Sequence, residues 1–173
     1  LIGNAGSIQG NVANAGALVF DQASNATYAG SVTGAGTTTK SGAGALTLTG
    51  ANATKWQVTA GSLVSTTTLF TGNADLAQGT SLVFNQTING NYSGVLTGAG
   101  SVSFQGGGTI LLTGDSSAFA GTTSTGSLLS VNGKLGGMVD VLSSGRLQGT
   151  GTIGSARIAG TIAPGNSIGT LTV

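Results

Sequence analysis

An internal repeat constrains the fold of this chain more than any other feature. Ala17–Gly36 aligns without a gap to Ser81–Gly100, and both copies carry Leu-Val-Phe-x-Gln-x-x-Asn-x-x-Tyr-x-Gly-x-x-Thr-Gly-Ala-Gly. With one residue inserted later in the second copy, the alignment runs over residues 17–64 and 81–129. Repetition at such a period is typical of arrays in which each unit buries its apolar face against the next.

The units of this array are predicted to be short strands. Glycine accounts for 33 of the 173 residues, and each glycine costs roughly 1 kcal/mol inside a helix, whereas Thr and Val favour strands. Predicted strands include Ala17–Phe20, Gln57–Val64, Ser81–Phe84, Ser101–Gln105 and Gly169–Val173. A coil of three short strands takes roughly 20–25 residues, so one period of the repeat makes about three coils and the chain about eight.

The predicted fold class is therefore all-β, with residues 1–173 forming a single β-solenoid segment. A β-sandwich is the alternative. It is disfavoured because a sandwich has longer alternating strands and leaves the internal repeat unexplained.

The charge content argues against nucleic-acid binding. Only 5% of residues are charged, with five Lys or Arg and four Asp, against roughly 25% in a typical globular domain. The basic residues are scattered singly, whereas phosphate binding needs them clustered. Hydroxyl and amide side chains must therefore form much of the solvated surface.

The absence of two residue types limits the possible chemistry. The chain contains no Cys and no His, which excludes disulfides, thiolate metal sites and the usual Ser–His–Asp and Cys–His devices. It opens without a Met or a signal sequence, and we interpret it as a segment of a longer protein.

A turn is predicted near the C-terminus at Pro164-Gly165-Asn166. Proline fixes its own φ, glycine adopts positive φ at no steric cost, and asparagine bonds to nearby backbone. The run Pro164-Gly-Asn-Ser-Ile-Gly-Thr-Leu171 resembles a signature found late in the passenger domains of bacterial autotransporters, which are type V secreted surface proteins.

The repeat carries a second resemblance to the same family. Gly107-Gly-Thr-Ile-Leu-Leu-Thr-Gly114, followed by Phe119-Ala-Gly-Thr-Thr123 and Gly126-Ser-Leu128, is similar to the passenger-associated strand repeat of autotransporters. The first copy departs from this pattern at Lys55-Trp56-Gln57-Val58. A third segment, Gly149–Ala163, is similar to the family's approach to the Pro-Gly-Asn turn.

The resemblance implies a right-handed parallel β-helix in the membrane-proximal, C-terminal part of a longer passenger. Such a passenger is exported through the periplasm and displayed on, or released from, the Gram-negative outer membrane. The implied partners are the family's own C-terminal outer-membrane β-barrel, outside this segment, and a host surface or matrix, or other cells through self-association. The implied roles are adhesion, virulence and passenger folding during secretion.

No catalytic, cofactor-binding or metal-binding residue is predicted, and we expect no cofactor and no enzymatic activity. The four aspartates, Asp21, Asp75, Asp115 and Asp140, lie far apart in sequence. Hydrolytic β-helices use clustered carboxylates, so this spacing disfavours catalysis. A polysaccharide-active enzyme is therefore kept only as the alternative function. Gly149–Gly154 matches G-x-G-x-x-G, but no helix is predicted to follow it.

Other polar and aromatic motifs have structural interpretations. Four Asn-x-Thr/Ser sequons, which begin at Asn25, Asn52, Asn85 and Asn91, are interpreted as turn residues. The Thr clusters do not recur once per coil, so an ice-binding or other extracellular solenoid is a weaker alternative. Phe20 and Tyr28 match Phe84 and Tyr92 across the repeat, which favours stacking in the core. Trp56 could be buried or could form a surface contact.

Overall fold

Strands and corners make up the whole of the part that the computed structural model describes, residues 1–165 and 169–173. These residues contain no helix, so none of them forms a membrane-spanning helix. The strands stack into a parallel β-solenoid of about nine turns. The predicted all-β solenoid is confirmed, with about nine turns rather than about eight.

The described residues form 22 short strands. They are β1 Ile2–Gly3, β2 Val12–Ala13, β3 Ala17–Asp21, β4 Ala26–Tyr28, β5 Val32–Thr33, β6 Thr37–Ser41, β7 Ala45–Leu48, β8 Lys55–Val58, β9 Ser62–Ser65, β10 Ala74–Leu76, β11 Ser81–Asn85, β12 Gly90–Tyr92, β13 Leu96–Gly98, β14 Ser101–Gln105, β15 Ile110–Leu112, β16 Asp115–Ser116, β17 Thr122–Thr125, β18 Leu128–Val131, β19 Lys134–Val141, β20 Arg146–Gly149, β21 Thr152–Ile158 and β22 Thr161–Pro164.

Each turn visits three sides of the solenoid in the same order. The first side holds the sheet β1-β3-β6-β8-β10-β13, which a bridge from Gly98 to Phe119 continues. The second side holds β4-β7-β9-β11-β14-β17-β19 with β21. The third side begins with β2-β5, continues through single bridges at Asn52 and Phe70, and ends with β12-β15-β18-β20-β22.

The turns differ in length, and those at the C-terminal end are shorter than those in the middle. In the middle of the solenoid Ser81 pairs with Ser101, whereas near the end Met138 pairs with Ser155, which is closer to it along the chain. In the later turns β19 runs from the first side onto the second without a break, pairing with β16 and then β17. Shorter turns explain why the chain makes more of them than its length predicts.

The two copies of the repeat lie on different sides of the solenoid. Ala17 starts β3 on the first side, and its counterpart Ser81 starts β11 on the second side. Tyr28 ends β4 on the second side, and its counterpart Tyr92 ends β12 on the third. The period of the repeat therefore corresponds to three turns plus one side.

Aromatic side chains fill the centre of the early and middle turns. The ring centroids of Phe20 and Tyr28 lie 4.8 Å apart, and those of Phe84 and Tyr92 lie 5.0 Å apart. All four side chains are buried, so their predicted core position is confirmed. Trp56 is also fully buried and stacks on Phe20 at 5.8 Å, which rules out the surface alternative for this side chain.

Two of the predicted strands named above differ from the observed ones by more than one residue at an end. Gln57–Val64 was predicted as one strand, but β8 ends at Val58 and β9 begins at Ser62. Between them Gly61 has φ 67°, and the chain turns a corner there. Gly169–Val173 forms no strand and contributes one bridge, from Thr172 to Thr152.

The predicted Pro164-Gly165-Asn166 turn is described only in part. Pro164 is the last residue of β22, and Gly165 has φ 83°, as the turn chemistry predicts. Asn166, Ser167 and Ile168 lie outside the described residues.

Candidate functional site

A groove of about 350 Å³ follows the corner between the third and first sides over three successive turns. We call it the corner groove. Three tripeptides with a central glycine line it: Thr113-Gly114-Asp115, Asn132-Gly133-Lys134 and Thr150-Gly151-Thr152. A smaller pocket of about 140 Å³ adjoins it and shares Lys134 and Thr152 with it.

Close stacking of the turns requires glycine on the floor of the corner groove. A Cβ atom on Gly133 would lie 2.2 Å from the carbonyl oxygen of Gly114, and one on Gly151 would lie 2.1 Å from that of Gly133. A Cβ on Gly114 would likewise meet the oxygen of Gly94 at 2.5 Å. The floor therefore stays at backbone level, between exposed polar side chains on both flanks.

Backbone donors along this floor are already used by the stacking of turns. The N–H groups of Gly133 and Gly151 donate to Leu112 O at 3.0 Å and Val131 O at 2.9 Å. Those of Lys134 and Thr152 donate to Gly114 O and Gly133 O, both at 3.0 Å. A ligand in the groove would therefore be held mainly by side chains.

An ion pair stands on one flank of the groove. Lys134 Nζ lies 2.9 Å from Asp115 Oδ2. Among the described residues, this pair is the single salt bridge. The Ser117 hydroxyl donates to Asp115 Oδ1 at 2.6 Å and its backbone N–H at 3.2 Å. The hydrogen bond from the Ser117 hydroxyl, followed by that from Lys134, lowers the pKa of Asp115 to about 2.

The pair leaves the groove with no net charge. Asp115 in turn raises the pKa of Lys134, so both groups are ionised at neutral pH. Both side chains are more than half exposed, so water screens their attraction and the pair adds little to folding stability.

The other three aspartates lie elsewhere on the solenoid surface. Asp21 accepts a hydrogen bond from Ser41 Oγ at 3.2 Å, and Asp75 accepts one from Thr97 Oγ1 at 3.0 Å. Asp140 lies in β19 on the second side. Within the described residues, no three His, Cys, Asp or Glu side chains are placed to share a metal ion.

The remaining sequence motifs have structural roles where the structure describes them. Gly149–Gly154 spans the end of β20, a corner and the beginning of β21, with no helix. Asn25 Oδ1 accepts a hydrogen bond from Ala45 N in the next turn, and Asn52 is buried on the third side. Thr38 is also buried, so the 37–39 cluster does not form a flat exposed row.

Sequence reasoning missed the corner groove, although a periodic signal for it exists. A hydroxyl or amide residue precedes glycine at intervals of about one turn, at Thr71-Gly72, Ser93-Gly94, Thr113-Gly114, Asn132-Gly133 and Thr150-Gly151. This spacing could have placed all five pairs on one corner, although not the depth of the groove.

Sequence reasoning also missed a buried cation. Lys40 is fully buried, and its ammonium donates to the carbonyl oxygens of Ser41 at 2.8 Å, Gly42 at 2.7 Å and Ala60 at 3.0 Å. Its counterpart in the second copy is the buried Phe104. The alignment therefore places a lysine at a position where the other copy has an apolar core residue, and this was the available signal. Burial lowers the pKa of Lys40, and Asp21 partly opposes this effect.

Comparison with known proteins gives two partial similarities. Over 85 residues, or 48% of the chain, it is 36% identical to a protein of Serratia marcescens named extracellular serine protease. Over 38 residues, or 22% of the chain, it is 58% identical to the adhesin BmaC autotransporter of Brucella suis biovar 1 (strain 1330). No protein-family model and no solved structure gives a significant match.

The matches span only a small part of these relatives, 8% of the Serratia protein and 1% of the Brucella protein. The protease activity in the first name and the adhesive activity in the second are therefore those of much longer proteins. The chain is thus a parallel β-solenoid with partial similarity to an extracellular protein and to an autotransporter adhesin.

Proposed function

We propose that the chain is a non-catalytic segment of the surface-exposed passenger of a bacterial autotransporter, and that it supports adhesion or self-association. The observation that carries this proposal is a parallel β-solenoid of about nine turns in a chain partly similar to an autotransporter adhesin. A stack of turns buries its own core and presents a long, regular surface. Such a surface suits a stalk that holds a binding surface at a distance from the cell.

The lack of clustered reactive groups supports a non-catalytic role. The chain has no His and no Cys. The single ion pair in the described part joins Lys134 to Asp115, and both side chains are exposed to water rather than enclosed in a catalytic pocket. Two-carboxylate hydrolysis needs a pair of carboxyl groups within roughly 5–10 Å of each other. In the corner groove Asp115 is the only carboxylate.

Surface labelling tests the location. Antibodies raised against the purified chain should bind intact cells of the source bacterium, and external protease should remove that signal. An antibody to a periplasmic protein controls for cell integrity. Binding that appears only after the cells are permeabilised would contradict surface display.

An activity screen tests the non-catalytic role separately. The purified chain should release no reducing ends from a panel of plant, bacterial and host polysaccharides and no peptides from casein. Release that the Asp115→Asn variant abolishes would replace this proposal with a polysaccharide-active enzyme.

A further inference from the structure

We propose that the corner groove binds a neutral, hydroxyl-rich glycan chain that lies parallel to the solenoid axis. The inference goes beyond the function proposed above and does not depend on how the chain reaches the cell surface. It rests on the volume of the groove, its charge balance, its occupied backbone and the spacing of its side chains.

The volume and lining of the groove suit a small number of sugar units. At about 350 Å³ the groove lies at the lower end of the range for ligand sites, which is roughly 300–1,000 Å³. Both flanks carry groups that form hydrogen bonds, namely Thr113, Asn132 and Thr150 on one flank and Asp115, Lys134 and Thr152 on the other.

Charge balance favours a neutral ligand. Lys134 would attract a phosphate, sulfate or uronate, but the carboxylate of Asp115 lies 2.9 Å from its ammonium and neutralises it. An anionic polymer would therefore meet Asp115 as soon as it reached Lys134. A neutral hydroxyl can instead accept from a remaining N–H of Lys134 and donate to an oxygen of Asp115, because a hydroxyl is both donor and acceptor.

The occupied backbone favours a glycan over a peptide. Peptides that bind by adding a strand need unpaired N–H and C=O groups on a sheet edge. On the groove floor the N–H groups of Gly133, Lys134, Gly151 and Thr152 already donate to the preceding turn. Recognition must therefore come from hydroxyl, amide and charged side chains, which match the hydroxyl groups of a sugar.

The spacing favours a linear polymer with a short repeat. Neighbouring parallel strands lie about 4.8 Å apart, so Thr113, Asn132 and Thr150 recur at about that interval along the axis. This interval is close to the length of one sugar ring in an extended chain. Each successive sugar would then meet the same kind of flank, and the three turns would span about 10 Å.

Titration of the purified, isotopically labelled chain with three neutral hexasaccharides tests the proposal. Cellohexaose, maltohexaose and the hexamer of N-acetylglucosamine serve as the probes, and a heparin hexasaccharide serves as the anionic comparison. At least one neutral probe should shift the amide signals of Gly114, Gly133 and Gly151. If no neutral probe shifts them, or if heparin alone does, the proposal is wrong.

Matched variants locate the binding. The double variant D115A/K134A removes one charge of each sign from the groove and should weaken binding about tenfold, since hydrogen bonds to charged groups are lost. K55A/D75A removes the same charges from the first side, away from the groove, and should bind as the parent does. Circular dichroism checks that both variants fold. Unchanged affinity in D115A/K134A would overturn the proposed site.

Discussion

At the residue scale, several polar side chains that enter the core bond to backbone atoms, some of them in a neighbouring turn. The hydroxyl of Tyr92 donates to Gly72 O at 2.7 Å, and that of its counterpart Tyr28 donates to Gly10 O. The side-chain amide of Gln86 donates to Ile88 O, while its oxygen accepts from Thr67 N; Gln22 makes the corresponding bonds in the first copy. The repeat therefore preserves a bonding pattern as well as a sequence.

Removing the Tyr92 hydroxyl tests how much one such hydrogen bond contributes to the free energy of unfolding. Tyr92→Phe should lower the free energy of unfolding by about 1 kcal/mol at neutral pH, because Gly72 O loses its buried donor. Burial raises the pKa of Tyr92 above its ordinary 10.0, so this residue stabilises the fold below that pH and the contribution is lost as the pH rises through the raised pKa.

Urea unfolding at neutral pH and above pH 10.0 measures both effects. The variant should lose less stability than the parent at alkaline pH. An equal loss in the two proteins would show that Tyr92 is not the residue responsible.

The pKa of Asp115 tests the geometry of the ion pair. Because the Ser117 hydroxyl bond is the largest cause of the shift, Ser117→Ala should move this pKa from about 2 towards its ordinary value of 3.8. In the parent, Asp115 contributes stability above pH 3.8, and that contribution is lost as the pH falls towards 2. Titration of the carboxyl carbon by NMR measures the shift, with Ser144→Ala as an unrelated serine control. An unmoved pKa in Ser117→Ala would contradict the assigned hydrogen bond.

At the scale of the elements, corners were harder to predict than strands. Ser101–Gln105 was predicted with the bounds that β14 shows, because Val and Phe alternate there with polar residues. Gln57–Val64 was wrong because it joined two short β-favouring stretches, Val58-Thr59 and Leu63-Val64, across the corner at Gly61. The strand β17, Thr122–Thr125, was not predicted, since its inward residues Thr123 and Thr125 look solvated in the sequence yet are buried.

Glycine on the floor of the corner groove should be intolerant of any side chain. Gly133→Ala would push a Cβ to 2.2 Å from Gly114 O, so the stacked backbone must move apart, at a cost of about 2 kcal/mol. Gly16→Ala is the matched control, because a Cβ there has no atom within 4 Å and needs no positive φ. Thermal unfolding of both variants measures the difference. Equal melting temperatures would contradict the close stacking of turns at this corner.

At the scale of the whole molecule, the solenoid and its period could be predicted from the sequence, but not how the period maps onto the sides. The period fits three whole turns of average predicted length, yet the copies are displaced by one side because the turns within the period are shorter than that predicted average. Thr37, for example, pairs with Lys55, and Trp56 pairs with Ala74. The length of each corner sets that displacement, and corner lengths are not visible in apolar periodicity. The depth of the corner groove depends on the same stacking, so it could not be predicted from the sequence either.

Parallel stacking of each turn directly on the preceding one is the claim on which the whole account rests, and cysteine pairs test it most directly. The chain has no natural Cys. Ser81 and Ser101 are register partners in adjacent turns, and Thr122 pairs with Ser101 one turn further on. A disulfide needs Cα atoms within about 7 Å, which one strand spacing allows and two do not.

The double variant S81C/S101C should therefore form an intramolecular disulfide under mild oxidation, detected by the mass of the peptides after digestion, whereas S81C/T122C should remain reduced. Failure of the first pair to cross-link in a folded protein, or ready cross-linking of the second, would contradict the parallel solenoid.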